Sequence, residues 1–460
     1  MATYTFSMTP RAVPRVKTRY RSIHTQIPAP GTEEVFENLK KVESRSMHGQ
    51  LPIVWNKALD FCVYDIADNK WIDFTSTIFV TNVGHANNSV CAAIESTIKN
   101  KLLHTYAYAN NQRVEYLEKL IKFAGPPFEK CFLMSAGTEA TEAALKLMRL
   151  NGIKRQKKKL GVICIEGNWH GRTMGAQMMS GNISQKEWIG YLDPNIYHIP
   201  FPYPWGIDDS NGLKLLDASL KKLSGSGVDL EHDICGFMLE TFQGWGAVFY
   251  PSEFVQELSE YAKENDILVT FDEMQSGFGR TGKLFGYMHY GVEPDLLCCG
   301  KGASSGFPLA LVLGSAEVLD LPNIGSMSST HSANPIVCAA GRANLECLFD
   351  DGLIEASREL GVIFHNKLED IRCRFSEHLS CVQGRGLLAA LIFIDKNGNP
   401  LASLCDAISE LCMQRGLLVV HTGRESIKLA PPLSISEDAM LEGLSVLENS
   451  IADCISMNKS

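Results

Sequence analysis

Three stretches of this 460-residue chain carry side chains that could act together on one ligand. The apolar run Ile267–Phe271 ends on Asp272 and Glu273. The run Asp295–Cys299 is followed at once by Gly300 and Lys301. Lys130–Met134 leads into Ser135-Ala136-Gly137-Thr138-Glu139. Each run has the length and composition of a buried strand. An acid or amine just past such a strand lies in the crevice where open α/β sheets bind ligands. A glycine and a hydroxyl opening the next helix add N–H groups and a dipole that favour phosphate. One cofactor uses all three features. Pyridoxal phosphate needs a lysine for its Schiff base, an anion to keep its ring nitrogen protonated, and a cradle for its phosphate. Taken singly, each feature has a plainer explanation: Ser and Thr cap helices everywhere, and an acid beside a loop lysine is an ordinary salt bridge.

Those residues need a scaffold that brings strand ends together. Apolar runs recur at Lys130–Met134, Leu160–Ile165, Ile234–Leu239, Ile267–Phe271, Asp295–Cys299 and Leu309–Leu313. Helical stretches lie between several of them, most clearly Glu139–Leu150 and Ser252–Asn265. In the first of these, Ala140, Ala143, Ala144, Leu147 and Met148 form one apolar face. The alternation predicts a mostly parallel sheet covered by helices on both faces. After Gly352 the texture changes to a long helix near Leu353–Glu377, a run at Leu387–Ile394, a further helix with strands, and a last helix from Ser436. The expected organisation is an N-terminal arm over 1–50, the N-terminal part of a small domain and a linker over 51–100, a large cofactor-binding domain over 101–350, and a small α+β domain over 351–460.

Composition narrows the function classes. Hydrophobic residues make up 45% and charged residues 21%, so the chain is neither disordered nor fibrous. The net charge of −9 disfavours a nucleic-acid binder, which needs a basic face. No run is apolar enough over about 20 residues to cross a bilayer. The 14 cysteines are scattered from Cys62 to Cys454 with no C-x-x-C pair, which predicts reduced thiols in a cytoplasmic protein and no metal site. The first acid is Glu33, after Arg11, Arg15, Lys17, Arg19 and Arg21, a pattern of either a disordered or partner-embracing arm or a transit peptide. Two motifs fail on context. Gly277-Phe278-Gly279-Arg280-Thr281-Gly282 fits a dinucleotide loop but does not directly follow a strand. Gly302-Ala303-Ser304-Ser305-Gly306 fits a nucleophile elbow but leads into an apolar strand instead of a helix.

Further motifs fall in order around those three stretches: Asp73-Phe74, Gly84-His85, Trp169-His170-Gly171-Arg172-Thr173, Glu240-Thr241-Phe242-Gln243-Gly244, Ser329–Pro335, Gly384–Leu387 and Ala430-Pro431-Pro432. In this series, spanning about Trp71–Pro432, the chain resembles the class III (ω-amino acid) aminotransferases. That group, of pyridoxal-phosphate fold type I, includes ornithine and 4-aminobutyrate aminotransferases. The resemblance implies a large domain with a mostly parallel central sheet, plus a smaller α+β domain built from both termini. It implies that Lys301 binds the cofactor and shuttles a proton, and that Asp272 pairs with the ring nitrogen. Gln275 would reach the ring oxygen, Trp169 and Met274 would flank the ring, and Gly137 and Thr138 would hold the phosphate. Thr330 would reach the phosphate of a neighbouring subunit, which implies a homodimer with shared active sites, whether or not dimers pair into tetramers. Glu240 and Gln243 match buried positions near the ring.

The departures from the family pattern lie on the substrate side. The usual arginine before Ala-Pro-Pro reads Lys428, and the glutamate that follows Gln-Gly in ornithine- and aminobutyrate-type members reads Trp245. Arginine grips carboxylate in a planar fork, whereas lysine offers a point charge on a flexible stem. Arg172 persists, and Phe79 is large where relatives are often small. The expected activity is ping-pong transamination from a primary, ω- or terminal amine to a 2-oxo acid, 2-oxoglutarate or pyruvate. Lys428 and Trp245 point to bulky or carboxylate-free donors such as diamines, aryl-alkyl amines or amino sugars. An aminomutase, epimerase or decarboxylase would share every cofactor residue. A non-catalytic binding protein on the same scaffold would have no need of Lys301, Asp272 and Gln275 together.

Overall fold

Continuous apolar runs, without the alternation of a half-solvated strand, mark a sheet buried on both faces. The computed structural model, which describes residues 6–203 and 211–457, places all six such runs in one seven-stranded sheet. Its order is Lys130–Met134, Ala310–Gly314, Leu296–Cys299, Leu268–Asp272, Ile234–Glu240, Gly161–Ile165, Ile196–Ile199. All five inner strands are buried at every residue, and only the two edge strands are partly open. Neighbours pair in parallel except Ala310–Gly314, which runs antiparallel to both of its own. This sheet is the centre of the larger of two units, Asn88–Gly244 with Val248–Ile354.

Helix Gly137–Lys154 covers one face through Ala140, Ala143, Ala144, Leu147 and Met148, all buried. Small residues let it lie close to the strands. A Cβ added to Gly236 would fall 2.1 Å from Met148 Sδ. Each large side chain buried here contributes roughly 1.5–3 kcal/mol.

The other unit comprises Met1–Asn87, Trp245–Ala247 and Glu355–Ser460. Its boundaries with the larger unit fall at 87/88 and 354/355, apart from the short segment Trp245–Ala247. One sheet runs Val16–Lys17, Ser22–Ile23, Lys70–Asp73, Cys62–Asp65, Trp55–Leu59, and Leu417–Leu418 joins Lys70–Asp73 in parallel. A second, antiparallel sheet runs Leu379–Arg385, Leu388–Phe393, Ser426–Leu429, Val420–His421. Residues 6–50 are tied into this unit. Ile23 and Ile27 pack with Val63, Trp71, Met413 and Leu418. The Arg21 guanidinium donates to Glu442 Oε1 and to the Arg415 carbonyl, each at 2.6 Å. Two-residue strands are too short to show a hydrophobic period, which is why the sequence shows none here.

Candidate active site

Parallel strand pairing sets the first level of geometry. Asp272 lies opposite Glu240 on one side and Cys298 on the other, so three neighbouring strands end at the same level. Lys301 follows two residues after the last strand residue, Cys299, in a single 3₁₀ turn. Helix Gly137–Lys154 starts just past its own strand, at the other side of Met274. A Cβ on Gly137 would lie 2.8 Å from Met274 Sδ, and one on Gly300 would lie 2.6 Å from the same sulfur. The Met274 thioether is therefore packed against both the helix start and the residue before Lys301, which only glycine allows at this spacing.

Asp272 is nearly fully buried, with His170 Nδ1 at 2.9 Å from Oδ2 and the Met274 N–H donating to Oδ1 at 3.0 Å. With the carboxylate accepting, Nδ1 is the donor; the other ring nitrogen, Nε2, is buried without a hydrogen-bond partner among the described residues. In the sequence His170 is one residue of the Trp169–Thr173 motif, and nothing local marks it as the partner of Asp272. Glu240 is a second hub. Its Oε2 accepts from the N–H of Trp169 at 3.0 Å and of Gly244 at 3.1 Å, and its Oε1 from Gln275 Nε2 at 3.3 Å. One carboxylate thus ties together the residues expected beside and around the ring. Gln243 donates to the Glu166 carbonyl at 2.7 Å and accepts from Tyr203.

Burial pushes the Lys301 amine below its ordinary pKa, and the carboxylates of Asp272 and Glu240 pull it part of the way back. The adjacent Glu273 has the opposite sign. Burial raises its pKa, while Thr241, Ser276 and the N–H groups of Gly286 and Tyr287 donate to it and favour the carboxylate. Four donors on one buried acid pin the loop that follows Asp272.

At the helix start, Glu139 accepts from the N–H groups of Ser135 and Ala136 at 2.8 and 3.1 Å. Thr138 Oγ1 meets Thr173 Oγ1 at 2.6 Å, and Thr173 donates onward to Glu142. Gly171 has φ +139°, and a Cβ there would sit 2.3 Å from Thr138 Oγ1. The Arg172 guanidinium lies 4.4 Å from the Trp169 ring centre, and Trp169 is 37% exposed. Thr330 is exposed; its carbonyl is 2.8 Å from His104 Nε2, and Ser332 nearby reaches Ser135 Oγ at 3.3 Å. Phe79, Trp245 and Lys428 belong to the other unit. There Lys428 Nζ lies 4.3 Å from the Phe79 ring centre and the Arg424 guanidinium 4.0 Å from that of Trp245.

These residues fit pyridoxal phosphate. The larger unit has a half-buried lysine whose amine is held below its ordinary pKa by desolvation, a buried carboxylate at the adjacent strand end, and a glycine-opened helix start packed on the same methionine. It also leaves a buried imidazole nitrogen without a partner behind the carboxylate. Fold and site together define a pyridoxal-phosphate enzyme. Residues 44–451 match the family described as aminotransferase class-III. The chain is 32% identical to the mitochondrial acetylornithine aminotransferase of Candida glabrata, over 87% of this chain and 90% of that protein. It is 28% identical to an alanine/serine racemase of Pyrococcus horikoshii, over 98% and 96%. An amine transaminase from an uncultivated Pseudomonas species, solved in its pyridoxal-phosphate-bound form, superposes with a TM-score of 0.82 at 25% identity, covering 90% of this chain and 97% of that one. The chain belongs to the class-III aminotransferases. It is a pyridoxal-phosphate-dependent transaminase, and its substrate classes are an amine and a 2-oxo acid.

Proposed function

We propose that Lys301 carries the cofactor and moves the proton, with Asp272 fixing the charge of the ring. The observation that carries this is the pairing of a burial-depressed amine with a buried, histidine-held carboxylate at adjacent strand ends. The bound cofactor supplies an electron sink for the charge left on the substrate carbon after deprotonation. Lys301, shifted by burial toward its neutral form, would act as the base that takes that proton and would return it at C4′ of the cofactor. Asp272 would keep the ring nitrogen protonated, and the His170 hydrogen bond orients the carboxylate for that contact. Gly137 and Thr138 would hold the phosphate through N–H groups and hydroxyl. Trp169 and Met274 would flank the ring, and Gln275, held by Glu240, would reach the ring oxygen.

Phe79, Arg172, Trp245 and Lys428 are the proposed substrate contacts. A lysine under a phenyl ring and a tryptophan under a guanidinium replace the arginine and glutamate of the family pattern. They support a terminal-amine donor that is bulky or lacks a carboxylate, such as a diamine, an aryl-alkyl amine or an amino sugar. The acceptor is 2-oxoglutarate or pyruvate. The enzyme is proposed to be a homodimer in which Thr330 serves the neighbouring site. Fourteen free cysteines, ten of them buried, support a reducing, cytoplasmic setting.

The test is absorbance of the purified protein with pyridoxal phosphate, followed by one amine at a time: glutamate, alanine, 4-aminobutyrate, ornithine, putrescine, an aryl-alkyl amine, an amino sugar. Loss of the visible cofactor band with a carboxylate-free amine is the expected result. Conversion by glutamate alone would overturn the donor assignment. Borohydride should fix the cofactor on Lys301; a peptide map with the added mass elsewhere, or no added mass, would overturn the lysine.

A further inference from the structure

Packing alone does not place the loop that carries Thr330. Residues 323–331 are exposed except for the half-buried Met327 and Ser329, and two cavities border them. One, of about 650 Å³, reaches helix Gly137–Lys154 at Leu145 and Lys146. The other, of about 310 Å³, reaches helix Asn111–Ala124 at Arg113 and Leu117. Met327, Ser328 and Ser329 line both. A loop beside open space gains little from dispersion, so polar contacts must hold it. Lys146 Nζ donates to the Ser326 carbonyl at 2.7 Å, and Ser135 Oγ lies 3.3 Å from Ser332 Oγ. Between these two, His104 Nε2 lies 2.8 Å from the carbonyl of Thr330 itself. A carbonyl only accepts, so Nε2 carries the proton. The His331 ring stands 5.5 Å from the His104 ring.

Both ends of that bond are tied to helix starts. Asn110, which is buried, caps helix Asn111–Ala124 by accepting from the Arg113 N–H at 2.8 Å. Its Nδ2 donates to Thr105 Oγ1 at 2.9 Å, one residue after His104. Asn334 caps helix Pro335–Asp350 by accepting from the Val337 N–H at 3.0 Å, and its Nδ2 donates to the His331 carbonyl at 3.0 Å. The two helices are in direct contact: a Cβ on Gly341 would fall 2.9 Å from the Tyr116 ring. His104 thus closes a frame built on two packed helices, with Thr330 at its free edge. Leu103, Tyr106 and Tyr108 beside His104 are exposed, apolar surface of the kind a second subunit covers.

We propose that His104 is a positioning residue: by holding the Thr330 carbonyl it sets Thr330 for the cofactor phosphate of the neighbouring subunit, and so tightens a site on the other chain. This rests on the reading that Thr330 serves the neighbouring site. His104 itself touches neither cofactor nor substrate.

The test follows the visible cofactor band of holoenzyme as pyridoxal phosphate is released on dilution. His104→Leu should speed release about threefold to tenfold, the worth of one hydrogen bond. His104→Gln, which keeps a donor, should recover part of that. Thr330→Ala should also speed release, and adding His104→Leu to it should change nothing further, since both act through one contact. Two mixed dimers separate this from a local folding effect. When a His104→Leu chain pairs with a Lys301→Ala chain, the remaining Lys301 receives Thr330 from a chain with His104 intact, and release should be parental. When one chain carries both His104→Leu and Lys301→Ala and its partner neither, the remaining Lys301 should lose cofactor fast. The reverse pattern would show that His104 acts within its own chain and would overturn the proposal. Faster release in Thr330→Ala but not in His104→Leu would overturn the role of His104 and leave Thr330 standing. Unchanged release in Thr330→Ala would overturn the reading of Thr330 and the inference with it. Loss of the dimer in both His104 variants, measured by sedimentation, would make His104 an interface contact instead of a positioning residue.

Discussion

Asp272 illustrates how much one carboxylate depends on what stands behind it. His170 Nδ1 and the Met274 N–H use both of its oxygens, so its direction is set before any ligand arrives. Asp272→Asn should lower transamination about 100-fold or more while the cofactor still binds, because an amide cannot hold the ring nitrogen protonated. His170→Gln should cost less, about 10-fold, because the charge survives and only its aim is lost. Single-turnover rates with a reactive amine, set against cofactor affinity, would check both. A loss in His170→Gln as large as in Asp272→Asn would make the histidine more than a support. His198 makes a separate prediction. Burial first, then the nearby Lys186 ammonium, lowers its pKa to about 4. Its Nε2 faces the carbonyls of Met179 and Ser180 at 3.1 and 3.0 Å and Lys186 Nζ at 3.2 Å. The imidazole is neutral in the folded chain, so its contribution is complete above pH 6.5 and is lost as pH falls through about 4. That loss is on the order of 2–3 kcal/mol. His198→Asn should flatten the fall in Tm between pH 7 and pH 4.5; an unchanged slope would rule the residue out as the cause.

At the scale of elements, glycines decide how closely the helix start, the Trp169 loop and the strand ends can meet. Gly137, Gly171 and Gly300 each stand where a Cβ would strike a side chain of the site. Gly171 is the clearest, being both left-handed and within 2.3 Å of Thr138 Oγ1 from its would-be Cβ. Gly171→Ala should displace the Thr138 hydroxyl and weaken pyridoxal phosphate binding by about 10-fold, the value of one hydrogen bond to a charged group, in a protein that stays folded. Titration of the apo-protein by fluorescence would measure it; unchanged affinity would remove Thr138 from the phosphate cradle. The strands themselves were readable from the sequence, because five buried runs carry no alternation, the mark of a sheet covered on both faces. The left-handed turn at Ser76–Phe79, with φ of 45°, 53°, 63° and 71°, was not, because Ser-Thr-Ile-Phe has no propensity for it and one of its clamps, the Ala430 carbonyl, lies 354 positions along the chain.

At the scale of the whole molecule, shared sites make a prediction that single-chain variants cannot. If Thr330 serves the neighbouring subunit, Thr330→Ala and Lys301→Ala chains fail for different reasons. Each mixed dimer then contains one site with both parental residues. Co-refolding the two variants should restore about a quarter of parental activity, one intact site in each of the half of dimers that are mixed. No recovery above the sum of the separate variants would place Thr330 in its own subunit's site or outside any site.

Sequence by itself determined the chemistry and the sheet. An acid, a lysine and a glycine-opened helix, each just past a buried strand, are local features, and local pattern is what a sequence displays directly. The order of motifs then set the family. Tertiary structure decided what depends on contacts far apart along the chain. These are the His170–Asp272 bond across 102 positions, the Glu240 hub over Trp169 and Gln275, and the seating of Ile23 and Ile27 against Trp71 and Met413. It also decided that Lys428 lies under Phe79, a pair whose members are separated by most of the chain and joined only by the fold. Side-chain pairing of that kind follows from packing, and packing is settled only when the whole core closes.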